Sequence, residues 1–164
     1  MTGAAKSPVH ADVLNSAALK TTYALSGTHV LPSAYPEGCP IHPSYPAGHA
    51  VIAGACVTAL KAFFNEATVI ADPVESSEDG QSLRSYRGPM LTVGDELNKL
   101  AANITIGRDA AGVHYRSDGI QGLLLGEDVA IGLLRDIATT YSESFPGFTF
   151  TKFDGMRITI CSQC

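Results

Sequence analysis

The chain has 164 residues, 45% of them hydrophobic and 16% charged, with a formal net charge of −5. That balance suffices for one buried core and excludes a disordered chain. It also excludes nucleic acid and membrane as expected partners: the chain lacks the basic excess that a phosphate backbone demands, and no apolar run approaches the roughly 18 residues of a membrane span.

Met1 to Lys6 has no apolar run of the signal-peptide kind, and nothing in the sequence assigns a compartment. The first expected helix runs from Asp12 to Leu25, with Val13, Leu14, Ala17, Ala18 and Leu25 apolar. Residues 26–45 read as a loop punctuated by Gly27, Pro32, Pro36, Gly38, Pro40 and Pro43. Ordered loops of that length more often carry function than not. Gly48 to Phe64 reads as a strong helix, with Val51, Ile52, Ala55, Ala59 and Phe63 as its apolar stripe and Gly54 permitting close packing.

Residues 72–88 are polar and broken by Pro73, Gly80 and Gly88, so they read as a second loop. Thr92-Val93-Gly94-Asp95 has the form of a capping box and opens a helix to about Ala111. Leu97, Leu100, Ala101, Ile104 and Arg108 share one face of that helix. An arginine continuing an apolar stripe is costly to bury unless an anion meets it. A further helix spans Ser117 to about Ser142 through Ile120, Leu123, Leu124, Ile131, Leu134 and Ala138, with Glu127 near its inner face as partner for a buried donor. Residues 148–153 and 156–161 alternate around Asp154-Gly155, which predicts a hairpin with a two-residue type I′ turn. The expectation is one all-α domain, residues 1–164, ending in a small β-hairpin.

Of the four cysteines, Cys56 falls in an apolar helical run and is expected in the core. Cys161 and Cys164 form a terminal Cys-x-x-Cys without the strand-to-helix setting or second ligand pair of a redox or zinc site. A disulfide involving Cys39 or the tail is possible, and spacing does not pair it.

Two segments carry the candidate chemistry: His42-Pro43-Ser44-Tyr45-Pro46-Ala47-Gly48-His49, and Arg108 with His114 and Asp118 after it. An oxyanion needs cations, inward backbone amides and a group for its central atom. A helix N-terminus supplies amides and a positive dipole end. Gly48 lets backbone approach the anion, and His49 beside it can donate a hydrogen bond or move a proton. Arg108 offers a planar fork, His114 a ring nitrogen, and Asp118 a partner that would fix the His114 tautomer if both were helical. A single histidine is more often structural than ligating; the set at this spacing is far more specific.

His42 to Ala50, Leu97 to Ala101 and Gly112 to Glu127 resemble the vanadium-dependent haloperoxidases, in particular their bromoperoxidase branch. The resemblance covers most of the chain and corresponds to the C-terminal part of the family's longer subunit. It implies a helical bundle whose site design is shared with the type 2 phosphatidic acid phosphatases. It also implies a vanadate cofactor, with phosphate able to take the same site, and hydrogen peroxide and halide, bromide above all, as substrates. By that resemblance His114 is the ligand to vanadium, Arg108 and the Gly48 amide bond its oxygens, His49 assists proton transfer, and His42 tunes His49 or bound peroxide.

Two departures qualify this. Ala47 stands where the family usually has serine, and no lysine here is followed about seven residues later by Arg-Pro. In the family that motif would fall before Met1. A charge-assisted hydrogen bond contributes about 1.5–3 kcal/mol, so two missing cations weaken vanadate binding by about two to four decades. The chain alone is therefore expected to brominate weakly or not at all. A degenerate oxyanion-binding module is the alternative. A phosphatase with His114 as nucleophile and His49 as acid is a third, less favoured by the run from Tyr115 to Gly122. Self-association is expected, because a bundle of this size leaves apolar faces uncovered.

Overall fold

The computed structural model describes residues 10–29 and 40–161. Their elements, in order, are α1 (Ala11–Leu14), α2 (Ala17–Ser26), α3 (Gly48–Phe63), β1 (Val74–Ser76), β2 (Leu83–Ser85), α4 (Val93–Ala110), α5 (Arg116–Thr140), β3 (Phe148–Thr151) and β4 (Arg157–Ile160). Helices α3, α4 and α5 form the bundle, and the β3–β4 hairpin closes one end of it.

The first expected helix is two. Ser16 Oγ accepts from the Leu19 amide (3.3 Å) and starts α2 afresh, while Asn15 ends α1. Neither piece buries a residue. A serine that caps locally outcompetes helix continuation when no packing holds the run together.

Glycines set the spacing of the bundle. A Cβ at Gly54 of α3 would stand 2.3 Å from the Leu123 carbonyl oxygen, and one at Gly126 of α5 would stand 2.1 Å from the Val51 oxygen. The two backbones are thus in contact, which small residues alone permit. This close crossing rotates α3 away from its expected face. Its buried residues are Ala50, Ala53, Gly54, Val57, Thr58 and Lys61, whereas Ile52 and Phe63 remain 66% and 79% exposed. Cys56 is likewise an exposed free thiol rather than a core residue. Helix α4 departs similarly: Gly94, Ala101 and Thr105 are buried, Leu97 packs beside them, and Leu100 and Ile104 face outward. On α5, Ile131, Leu134 and Ala138 enter the core with Phe150 and Ile160 of the hairpin as expected, but Ile120 is exposed.

The Thr92 cap forms, with the Asp95 amide donating to Thr92 Oγ1 (3.2 Å); Asp95 answers through the Thr92 hydroxyl (2.8 Å). Residues 72–88 are not a plain loop. Val74–Ser76 and Leu83–Ser85 pair antiparallel around a turn at Asp79 and Gly80. The C-terminal hairpin is shorter than expected and its turn is of another type. Lys152 and Met156 still pair, the Gly155 amide donates to the Lys152 carbonyl (3.0 Å), and only Gly155 takes a positive φ, 86°. That is a three-residue loop, a type I turn followed by a left-handed glycine. The Met156 amide donates to Asp154 Oδ1 (2.9 Å), an Asx turn that leaves Asp154 at negative φ. Cys161 is disulfide-bonded; Cys39 and Cys164 lie outside the described residues.

A buried polar knot fastens the hairpin to all three helices. Lys61 is fully buried and donates to Asn98 Oδ1 (3.1 Å) and the Thr151 carbonyl (2.7 Å), with Nζ 4.4 Å from the centre of the Phe153 ring. Glu127 meets the expectation of a buried partner: its Oε1 accepts from the Phe153 amide (2.7 Å). Burial pulls the Lys61 amine down and pushes the Glu127 carboxyl up, each opposed by the charge of the other. Breaking such an arrangement from one side strands the remaining charge. Lys61→Met is therefore expected to destabilise the fold by about 3 kcal/mol. The double variant Lys61→Met/Glu127→Gln should cost less than the sum of its singles, both read by urea denaturation.

Candidate oxyanion site

Three helix ends meet at one end of the bundle. The Ala47 amide donates to the Asp118 carbonyl (3.1 Å), which ties the start of α3 to the first turn of α5. A Cβ at Gly122 would stand 2.8 Å from both the Ala47 oxygen and the Ala50 Cβ, so no larger residue fits between these turns. The end of α4 joins through Thr105, whose methyl would lie 2.1 Å from a Cβ at Gly119. The Val113 amide donates to the Arg108 carbonyl (3.2 Å), and the chain passes from Arg108 to His114 within one short connection.

The start of α3 is chemically open. Ala47 holds the N-cap position, and no side chain caps the helix. A Cβ at Gly48 would meet nothing within 4 Å. The first amides of α3 thus keep their hydrogen-bonding capacity, and the positive end of the helix adds to it. Ala47 is the physical reason that the amides remain uncapped.

His114 is buried, with its side chain 3% exposed, and Nδ1 has no hydrogen-bond partner. Asp118 Oδ2 stands 3.6 Å away. The expected pairing within one helix is not what forms. His114 precedes α5, and Asp118 instead caps that helix, accepting from the Tyr115 amide (3.0 Å). That backbone hydrogen bond holds the Asp118 carboxyl below the ordinary carboxylate range, helped by the hydroxyls of Ser44 and Ser117 and by His114. A lowered carboxyl supplies stability above the unfolded-state pKa and loses it as pH falls through the folded-state value. Acid unfolding monitored by circular dichroism should therefore show a limb below about pH 4 that flattens in Asp118→Asn.

Arg108 is half-buried in the last turn of α4. His49 is exposed in the first turn of α3. His42 is exposed, and its Nδ1 lies 2.9 Å from its own Pro43 carbonyl oxygen. The fold thus brings the backbone carriers of Gly48, His49, Arg108, His114 and Asp118 to one end, and joins His114 with Asp118. It does not draw His42 inward. Sequence reasoning missed Ser44 as a support for Asp118, and missed the series Gly119, Gly122 and Gly126 that lets the helices meet. The small-residue spacing of that series was the signal available.

Among the described residues, no three His, Cys, Asp or Glu side chains cluster as a divalent cation would require. An oxyanion held by one imidazole, a guanidinium and helix amides needs no such cluster. The residues present fit an oxyanion through two features: the buried His114, whose ring faces Asp118 at Nδ1, and the uncapped start of α3.

Residues 15–142 match the family model described as the VCPO second helical-bundle domain. The vanadium-dependent bromoperoxidase of Corallina pilulifera is 55% identical over 133 residues, covering 80% of this chain and 22% of that protein. The bromoperoxidase of Ascophyllum nodosum is 46% identical over 131 residues, covering 78% of this chain and 23% of that one. A solved homohexameric second vanadate-dependent bromoperoxidase of Ascophyllum nodosum superposes with a TM-score of 0.73 at 30% identity, over 87% of this chain and 30% of that one. The chain therefore spans less than a quarter of the length of these curated relatives.

Proposed function

The chain belongs to the vanadium-dependent haloperoxidase family, and from that premise we propose that it serves vanadate-dependent oxidation of bromide by hydrogen peroxide. The observation that carries the reading is the meeting of the uncapped α3 N-terminus with the turn holding His114, through the Ala47–Asp118 hydrogen bond. His114 would hold the vanadate through its other ring nitrogen, with Asp118 on the Nδ1 side to orient the ring. Arg108 and the Gly48 amide would bond its oxygens, and Arg108 would offset their charge. His49 holds or releases a proton at a ring nitrogen, and His42 tunes it. Bound vanadate supplies Lewis-acid activation of the peroxide.

A second reading, a non-turnover oxyanion-binding module, is favoured by Ala47, which supplies no hydroxyl. The chain is proposed to self-associate, as its homohexameric structural neighbour does. Phenol red bromination with orthovanadate, peroxide and bromide tests the activity. Weak turnover that rises and saturates with vanadate is expected. Hydrolysis of p-nitrophenyl phosphate without bromination would replace this reading with a phosphatase, and no saturable binding of vanadate or phosphate would end both.

A further inference from the structure

The glycines of α5 nearest the site serve two neighbours. Gly122 and Gly126 admit the backbone of α3, whereas Gly119 admits a side chain of α4. That side chain is Thr105, whose Cγ2 methyl would lie 2.1 Å from a Cβ at position 119. Both residues are buried. The methyl is also held in place: Thr105 Oγ1 donates to the Ala101 carbonyl (3.0 Å), and turning the side chain away would leave a buried hydroxyl without its acceptor. Thr105 therefore presses one fixed methyl group into the space that Gly119 leaves open.

The position of this contact gives it a role. Thr105 is the last buried residue of α4, and Arg108 follows three residues later on the same side of the helix. Gly119 directly follows Asp118, which faces His114. Between the two helices runs the turn of residues 111–115, held by the Ala111 amide on the Gly107 carbonyl (3.1 Å) and the Val113 amide on the Arg108 carbonyl (3.2 Å). Gly112 within it takes a left-handed φ of 76°. Such a turn keeps two helix ends close but acts as a hinge. Two rods joined by a hinge hold a fixed angle only when they also touch beyond it, and Thr105 against Gly119 is such a touch.

We infer that Thr105 and Gly119 are a positioning pair, whose contact sets where the last turn of α4 carries Arg108 relative to His114 when an oxyanion is bound. The inference rests on the oxyanion reading above and adds the residues that set its geometry. An alanine at 119 forces the last turn of α4 outward by roughly 1 Å, a displacement large enough to spoil a site built from several groups.

Titration of the full chain with orthovanadate, followed by vanadium-51 NMR, tests it. Gly119→Ala is expected to weaken binding at least about tenfold. Thr105→Ser/Gly119→Ala keeps the hydroxyl and moves the methyl across the contact, and is expected to recover affinity to within about threefold of the wild type, as a volume-conserving exchange. Because the pair acts through Arg108, Arg108→Lys should cost less in Gly119→Ala than in the wild type. Wild-type affinity in Gly119→Ala overturns the inference. So does a double variant that binds weakly although its circular dichroism and urea midpoint match the wild type, and so does an equal cost of Arg108→Lys in both backgrounds. If Gly119→Ala does not fold, Thr105→Ser is read instead: weaker binding with an unchanged spectrum supports the pair, and unchanged affinity overturns it. A wild type that takes up no vanadate removes the oxyanion reading and the pair with it, whereas the other outcomes strike the pair alone.

Discussion

Gly126→Val is expected to unfold the bundle, or to leave it destabilised by at least about 3 kcal/mol, the upper part of the range for overpacked cores. The Cβ of any residue at 126 lies 2.1 Å from the Val51 carbonyl oxygen and 2.7 Å from the Ala55 amide nitrogen. Both are backbone atoms of α3, so no rotamer change relieves the clash. The helices must separate, and separation opens the contact that includes Gly54 against Leu123 and Gly122 against Ala47. Valine gains helix propensity over glycine, but by less than about 1 kcal/mol, which is too little to offset this. Gly132→Ala provides the contrast on the same helix. Nothing lies within 4 Å of a Cβ there, so alanine should stabilise by about 0.5–1 kcal/mol. Urea denaturation of the two variants separates packing from propensity; equal effects would mean that α3 and α5 are not in backbone contact.

That contact explains what the amino-acid pattern reveals and what it hides. The existence and type of α3, α4 and α5 follow from periodicity, a threonine cap and the absence of internal proline, and all three form. Their facing does not follow. Hydrophobicity ranks Ile52 and Phe63 above Gly54, Thr58 and Lys61, yet the latter three are buried, because the inner face of α3 is chosen by how closely a backbone can approach. Lys61 was invisible for the same reason: a buried lysine becomes sensible only once Asn98 and the Thr151 carbonyl are known to surround it. At the candidate site the pattern was more legible, since Gly48, His114 and Asp118 are local features of helix starts. The Asp118 capping bond was hidden because its geometry depends on where α5 begins, one residue earlier than its periodicity suggests. The type of the terminal turn was missed because Asp-Gly fits both a two-residue turn and the end of a three-residue loop.

His114→Ala is expected to lower vanadate affinity more than a hundredfold, measured by vanadium-51 NMR, and to abolish whatever bromination the chain supports. The argument starts from desolvation. His114 is a polar ring whose side chain is only 3% exposed, and its Nδ1 makes no hydrogen bond. An unmade hydrogen bond on a buried polar group costs about 1–3 kcal/mol, and an oxyanion on the opposite ring nitrogen would polarise the imidazole and draw its Nδ1–H toward the Asp118 carboxylate. His114 lies between α4 and α5 rather than in either, so its loss leaves the helices themselves intact. The circular dichroism spectrum should therefore be unchanged in the variant, which separates lost binding from lost structure. Asp118→Asn should give an intermediate loss of about ten- to a hundredfold, the range for groups that orient a ligating histidine. Arg108→Lys keeps a cation but removes the planar fork, and is expected to weaken vanadate while leaving net charge unaltered. This ordering, alanine at 114 worst and the other two intermediate, is specific to a site in which the imidazole binds the central atom. A site made by helix amides and the Arg108 fork alone would invert it, with Arg108→Lys costing more than His114→Ala, and that result would remove His114 from the oxyanion.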